Sequence, residues 1–182
     1  MKAWLNTTRL YLGIESSSTT HLEKTISGIG ALIGMYLVYI NADWAFGQEL
    51  IGNIAPQLVI GSMGASAVLL FAVPHGVLSQ PWAVLGGHLL SAFIGVSCYG
   101  YMPTGYITPA LAVGLSVFAM YYLRCIHPPG GATALAAVVG DQQITELGYC
   151  YLLNPILLNV LTILLVAFIF NLAFSWRRYP AH

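Results

Sequence analysis

The sequence predicts an all-α polytopic membrane protein with six membrane segments arranged as two inverted three-segment repeats, the second and fifth segments broken or short. Three observations carry this. Of 182 residues, 58% are hydrophobic and only 7% are charged, far below the ~25% charged residues of an ordinary soluble domain. The apolar residues gather in six runs, at 25–41, 57–73, 82–102, 108–123, 131–140 and 150–176, and a bilayer-spanning helix needs ~20 mostly apolar residues. The second and fifth runs also resemble one another, each following a Gly-rich or Pro-rich approach.

Residues 1–24 carry Lys2, Arg9 and Lys24 around a mixed stretch, Trp4 to Ile14, that is too brief for a cleaved secretory leader. This stretch is expected to be a retained cytoplasmic or interfacial segment. The transmembrane domain then covers 25–176. Its second run contains Gly61-Ser62-Met63-Gly64 and reads as a break, and Pro74-His75-Gly76 marks the turn that follows. Gln80-Pro81 opens the third run, and Met102-Pro103-Thr104-Gly105 closes it. The fifth run has about ten residues after His127-Pro128-Pro129-Gly130-Gly131, too few to cross ~30 Å of hydrocarbon alone. Asn154-Pro155 opens the last run, and residues 177–182 form a short cytoplasmic tail.

Lys and Arg near span ends are retained on the cytoplasmic side. With six crossings and the N-terminus inside, Lys2, Arg9, Lys24, Arg124, Arg177 and Arg178 all fall on the cytoplasmic face, and Asp43, Glu49, Asp141 and Glu146 fall outside. A four-span alternative, in which both irregular segments dip in and return, misplaces Arg124 alone. Making only the fifth segment re-entrant misplaces Arg177 and Arg178. Six crossings with both termini cytoplasmic fit best.

The repeat is visible in three places. Gly64-Ala65-Ser66-Ala67-Val68 recurs as Gly131-Ala132-Thr133-Ala134-Leu135, Gln80-Pro81 as Asn154-Pro155, and Ala92-Phe93-Ile94 as Ala167-Phe168-Ile169. The chain thus reads as span, broken segment, span, written twice over 25–101 and 108–176. An odd number of crossings per unit inverts the second copy, as in many secondary transporters. The competing reading is that such small-residue stretches arise wherever helices pack closely.

A helix start carries about half a positive charge on its unpaired N–H groups and favours an anion. Inverted repeats would bring two such starts, near Gly61 to Ser66 and near Gly130 to Thr133, toward the membrane centre. The expected anion site is therefore Gly61, Ser62, Met63, Gly64, Ser66, Gly130, Gly131 and Thr133, where glycine admits close backbone approach and the two hydroxyls add donors. Small oxyanions fit this better than cations. His88, inside the third run after Gly86-Gly87, is a candidate proton relay or pore-lining donor, against the alternative of a histidine bonded to a neighbouring carbonyl. His127 is placed to present a donor to the anion or to hold the Pro-Pro turn, and His75 reads as a solvated loop residue.

Other functions are disfavoured. No Asp or Glu lies within an apolar run, which argues against carboxylate-based proton coupling. Six cations balance six anions, so no basic tract exists to bind nucleic acid. Cys98, Cys125 and Cys150 are scattered, and the His and Cys spacings match no metal motif. No nucleophile elbow or P-loop occurs. The expectation is no enzyme, no metal and no cofactor.

Gly61-Ser62-Met63-Gly64-Ala65-Ser66-Ala67, Gln80-Pro81 with Gly86-Gly87-His88, and His127-Pro128-Pro129-Gly130-Gly131-Ala132-Thr133-Ala134 together closely resemble the HPP family of integral membrane proteins. The resemblance covers about 25–176 and departs at Trp82, where a basic residue often follows Gln-Pro. It implies a small multi-span protein of a bacterial inner (plasma) membrane and, through members associated with nitrite transport in plastids and cyanobacteria, nitrite as the anion. The expected function is transport of a small inorganic anion across the lipid bilayer by a homo-oligomer. The alternative is a non-transporting assembly or sensory partner whose Gly-rich faces bind other subunits.

Overall fold

Thr20 starts the first helix, its Oγ1 accepting from the Glu23 amide at 3.2 Å. The helix, α1 (His21–Phe46), begins inside the stretch assigned above to the N-terminal segment. A computed structural model describes residues 11–12, 19–46 and 54–181, so most of the expected interfacial segment, with Lys2, Arg9 and also Glu49, lies outside the described residues. The next helices are α2 (Ile54–Ala72), α3 (Pro81–Tyr101), α4 (Ile107–Tyr122) and α5 (Pro128–Val139). A short α6 (Gln142–Thr145) and a kink at Asn154, whose backbone is extended (φ −133°, ψ 117°), lead into α7 (Leu158–Leu172). The described residues thus form seven α-helices and no strand.

Six of these helices answer to the six apolar runs. His21–Asp43, Pro81–Tyr101 and Leu152–Leu172 are long and apolar enough to cross a membrane, while Val59–Ala72, Ile107–Tyr122 and Pro128–Val139 are shorter. The fifth is short, as expected. The second is not broken: α2 runs without interruption through Gly61-Ser62-Met63-Gly64. Glycine and serine in a membrane helix serve close packing as readily as they mark a break, and here the ladder of hydrogen bonds continues.

The surface is apolar, and a set of polar side chains is buried within an otherwise apolar interior. Leu32 and Tyr36 of α1, Leu115 and Phe118 of α4, and Leu161, Leu165 and Ile169 of α7 all point outward, whereas Ser66, His88, Ser91, His127, Thr133 and Asn159 are buried. Lipid gives no hydrophobic drive between helices, so small residues that permit close approach must supply the packing. On α1, Gly30 and Gly34 leave room for the Phe71 ring: a Cβ on Gly30 would lie 2.5 Å from it and one on Gly34 2.8 Å. Phe71 in turn meets Phe170 edge to face, with ring centroids 5.7 Å apart. On α3, Gly87, Ser91 and Gly95 recur every fourth residue against α5: a Cβ on Gly95 would lie 2.6 Å from the Ala134 carbonyl oxygen, and one on Gly130 2.6 Å from that of Gly87. The α3–α5 crossing is backbone against backbone.

Arg177, beyond the end of α7, meets Glu23 in the first turn of α1 and Phe71 in the last turn of α2. It is fully buried, ion-paired with Glu23 and bonded to the Phe71 carbonyl, Ser27 and Asn171. Burial lowers its pKa and the Glu23 carboxylate opposes that shift. The segment that follows folds back over the α2–α3 turn. The Tyr179 hydroxyl donates to the Ser79 carbonyl at 2.9 Å, and the Ala181 amide donates to Gln80 Oε1 at 2.9 Å.

Candidate functional site

Three helices bring four polar side chains together at the centre of this packing. Ser66 comes from the middle of α2 and His88 from the second turn of α3. His127 caps α5, and Thr133 lies in that helix. All four are completely buried. Gly87 makes the meeting possible, because a Cβ there would lie 2.5 Å from Cβ of His127. The two imidazoles consequently stand edge to face with centroids 4.9 Å apart.

Ser66 Oγ lies 2.8 Å from Nε2 of His88 and 2.8 Å from Nε2 of His127. His88 Nδ1 lies 2.7 Å from Thr133 Oγ1, and His127 Nδ1 lies 2.8 Å from the Leu78 carbonyl oxygen. A carbonyl only accepts, so His127 carries its proton on Nδ1 and offers a lone pair at Nε2. Ser66 donates its one hydrogen to that lone pair, so its oxygen accepts from His88 Nε2–H. His88 Nδ1 is then the acceptor for the Thr133 hydroxyl. The bonds run in one sense, Thr133 to His88 to Ser66 to His127 to Leu78, with both rings neutral and every ring nitrogen paired. Tyr151 supports the far end, its hydroxyl donating to the Thr133 carbonyl at 3.2 Å.

The helix-start arrangement expected from the sequence is not formed. On α2, Gly61 is exposed with open space about it, Ser62 donates to the Val59 carbonyl at 2.7 Å, Met63 packs in the core, and Gly64 is half-buried with the nearest foreign atom, Met35 Cε, 4.0 Å away. Only Ser66 of that group reaches the cluster. At α5 the start exists but is spent. Pro128 and Pro129 have no N–H, the Gly130 amide donates to the His127 carbonyl at 2.9 Å, and the His127 amide faces Met120 Sδ at 3.5 Å. Gly130 is buried against Gly87, whereas Gly131 faces Val113 of α4 at 3.7 Å, away from the histidines.

Sequence reasoning missed three participants. The Leu78 carbonyl and Tyr151 carry no local signal. Ser91 does, lying three residues after His88 on the same face of α3. Its hydroxyl is buried without a hydrogen-bond partner, 2.9 Å from where a Gly130 Cβ would stand. A cavity of about 270 Å³ at the other end of α3, lined by residues including Tyr99, Met102 and Thr108, includes none of the cluster's side chains. Among the described residues no group of three or more His, Cys, Asp or Glu side chains is arranged to hold a metal.

The motifs that build this cluster fall within a longer similarity. The family description "HPP, transmembrane region" matches residues 16–180. The chain belongs to the HPP transmembrane family. Two transmembrane proteins of Dictyostelium discoideum are similar to it, one 40% identical over 130 residues, 69% of this chain and 45% of the relative, the other 39% identical over 126 residues, 67% of this chain and 40% of the relative. The chain thus spans less than half the length of the HPP relatives it matches. No solved structure matches it. Together with its apolar helices, membership of the HPP family makes this an integral membrane protein.

Proposed function

We propose that this HPP protein transports a small inorganic anion, nitrite being the first candidate, through a centre built on Ser66, His88, His127 and Thr133. The observation that carries this reading is the pair of imidazoles bridged by one serine hydroxyl, fully buried in a protein whose helices α2, α3, α4, α5 and α7 contain no Asp, Glu, Lys or Arg. Ionisable residues at membrane depth are costly and mark ion pathways. Imidazole offers a positive charge only when protonated, which suits an anion that must be bound and then released. Ser91 supplies a spare buried donor beside the first turn of α5. Nitrite enters through the family resemblance.

The inverted repeat supports the same reading. Exchanging α1 with α4, α2 with α5, and α3 with α7 carries the packed pairs α1–α2 and α1–α7 onto α4–α5 and α4–α3, and leaves α2–α5 in contact with itself. The repeats are out of register by one residue between Asn154-Pro155 and Ala167-Phe168-Ile169, and the chain is kinked at Asn154, at the start of that interval. Ser66 and Thr133, equivalent in the two copies, bond the two nitrogens of one ring, His88. A homo-oligomer in a bacterial inner membrane with both termini cytoplasmic completes the reading.

Purified protein in liposomes, tested against nitrite, nitrate, formate and chloride with and without a pH gradient, should move nitrite above protein-free vesicles. His88→Gln and His127→Gln should abolish that flux. An inert wild-type protein, able only to bind partner subunits, would replace transport with the assembly or sensory role.

A further inference from the structure

The cluster has complete hydrogen-bond patterns both without and with one added proton. In the neutral pattern Thr133 donates to His88 Nδ1. If His88 gains a proton on Nδ1, that N–H donates to Thr133 Oγ1, and the Thr133 hydroxyl turns to the Pro129 carbonyl, 3.4 Å away. The remaining bonds, His88 to Ser66, Ser66 to His127 and His127 to Leu78, stay as they were. No group loses a partner. A proton on His127 Nε2 leaves a complete pattern as well: that N–H donates to Ser66 Oγ, Ser66 donates to His88 Nε2, His88 Nδ1–H donates to Thr133 and Thr133 to the Pro129 carbonyl, so either ring of the pair can carry the one proton. A second proton would set two cations 4.9 Å apart.

Among the described residues no carboxylate lies beside the pair to compensate its charge. The titratable groups about it are Cys125, which lies against Gly86, and Tyr151, bonded to the Thr133 carbonyl. On α1 His21, Glu23, Lys24 and Asp43 lie toward its ends, α2 and α7 contribute none, and Tyr121, Tyr122 and Arg124 beside α4 are exposed. The exposed His75 lies in the α2–α3 turn. The singly protonated pair therefore needs one monovalent anion to be neutral.

We propose that the bridged pair of His88 and His127 is the proton acceptor of an electroneutral symport, in which one proton and one monovalent anion cross together. The proposal rests on the transport reading above and adds its coupling ion and stoichiometry. One solvent proton bonds to a ring nitrogen of the pair as the anion binds, and both leave on the other side. The Leu78 carbonyl closes the far end of the chain, since it accepts a hydrogen bond but passes no proton on.

Nitrite uptake into liposomes should rise with an inward proton gradient, ignore a potassium-diffusion potential set with valinomycin, and remove one external proton per nitrite. Flux driven by the potential and indifferent to the proton gradient would overturn this proposal while leaving transport intact. Absence of flux for every anion would overturn both. A second measurement needs no flux. In ¹⁵N-histidine-labelled protein in nanodiscs at mildly acidic pH, nitrite should convert one ring of the His88–His127 pair, and not both, to the doubly protonated form. Two rings that stay neutral with nitrite bound refute the proposal.

Discussion

A methyl group on Gly87 would lie 2.5 Å from Cβ of His127 and 3.0 Å from the Cys125 carbonyl oxygen. Two consecutive residues of α3 thus divide the work: Gly87 lets the segment leading into α5 come close, and His88 meets what that segment carries.

Gly87→Ala should accordingly destabilise the protein by ~1–3 kcal/mol, as overpacking does where backbone must move. Gly61→Ala, on open helix surface, should be neutral or stabilise by about 0.5–1 kcal/mol. Unfolding of both variants in detergent checks the contrast. If the two shift stability alike, the α3–α5 crossing is looser than described.

Ser66 serves two rings and Thr133 one. Ser66→Ala strands both Nε2 atoms and should cost more than Thr133→Val, which leaves one nitrogen unpaired at about 1–3 kcal/mol. Because the groups share one network, the double variant should fall short of the summed single effects. A double-mutant cycle that is additive would break the network into independent bonds.

The bonding sense fixes the tautomers. In protein at neutral pH, ¹⁵N spectra should show His127 protonated on Nδ1 and His88 on Nε2. The opposite assignment at His127 would require the Leu78 carbonyl, 2.8 Å away, to face a lone pair.

The folded-back C-terminal segment should loosen when its ion pair is cut. Glu23→Gln removes a charged partner of buried Arg177, a loss of about 1.5–3 kcal/mol for a hydrogen bond to a charged group, read as faster carboxypeptidase trimming. Burial raises the Tyr179 phenol above its ordinary pKa of 10.0. The neutral hydroxyl's anchoring is therefore complete below that pH and declines above it, so trimming should also accelerate in alkaline buffer.

Hydropathy made the helices legible: six runs gave six helices, with ends mostly within a few residues. The four cluster side chains were legible too, as hydroxyls and imidazoles stranded in apolar sequence. Their roles were not. Gly61-Ser62-Met63-Gly64 has the composition of both a broken helix and a tightly packed one, and only the neighbouring helices decide between them. Ser91 was overlooked because serine commonly satisfies itself within a helix, so its place three residues after His88 did not single it out. The partnership of Arg177 with Glu23 spans 154 residues and leaves no trace in either neighbourhood.

The two prolines at the start of α5 delete two amide donors, and Gly130 closes a third onto His127. A helix start with free amides is a standing positive end that chloride, the commonest small anion, could occupy at any time. Here such permanent attraction is largely absent, and in the proposed symport the electropositive moment would last only while a proton is aboard. An abundant halide would then find little to hold it between cycles, and the membrane voltage would be spared a leak without any moving barrier.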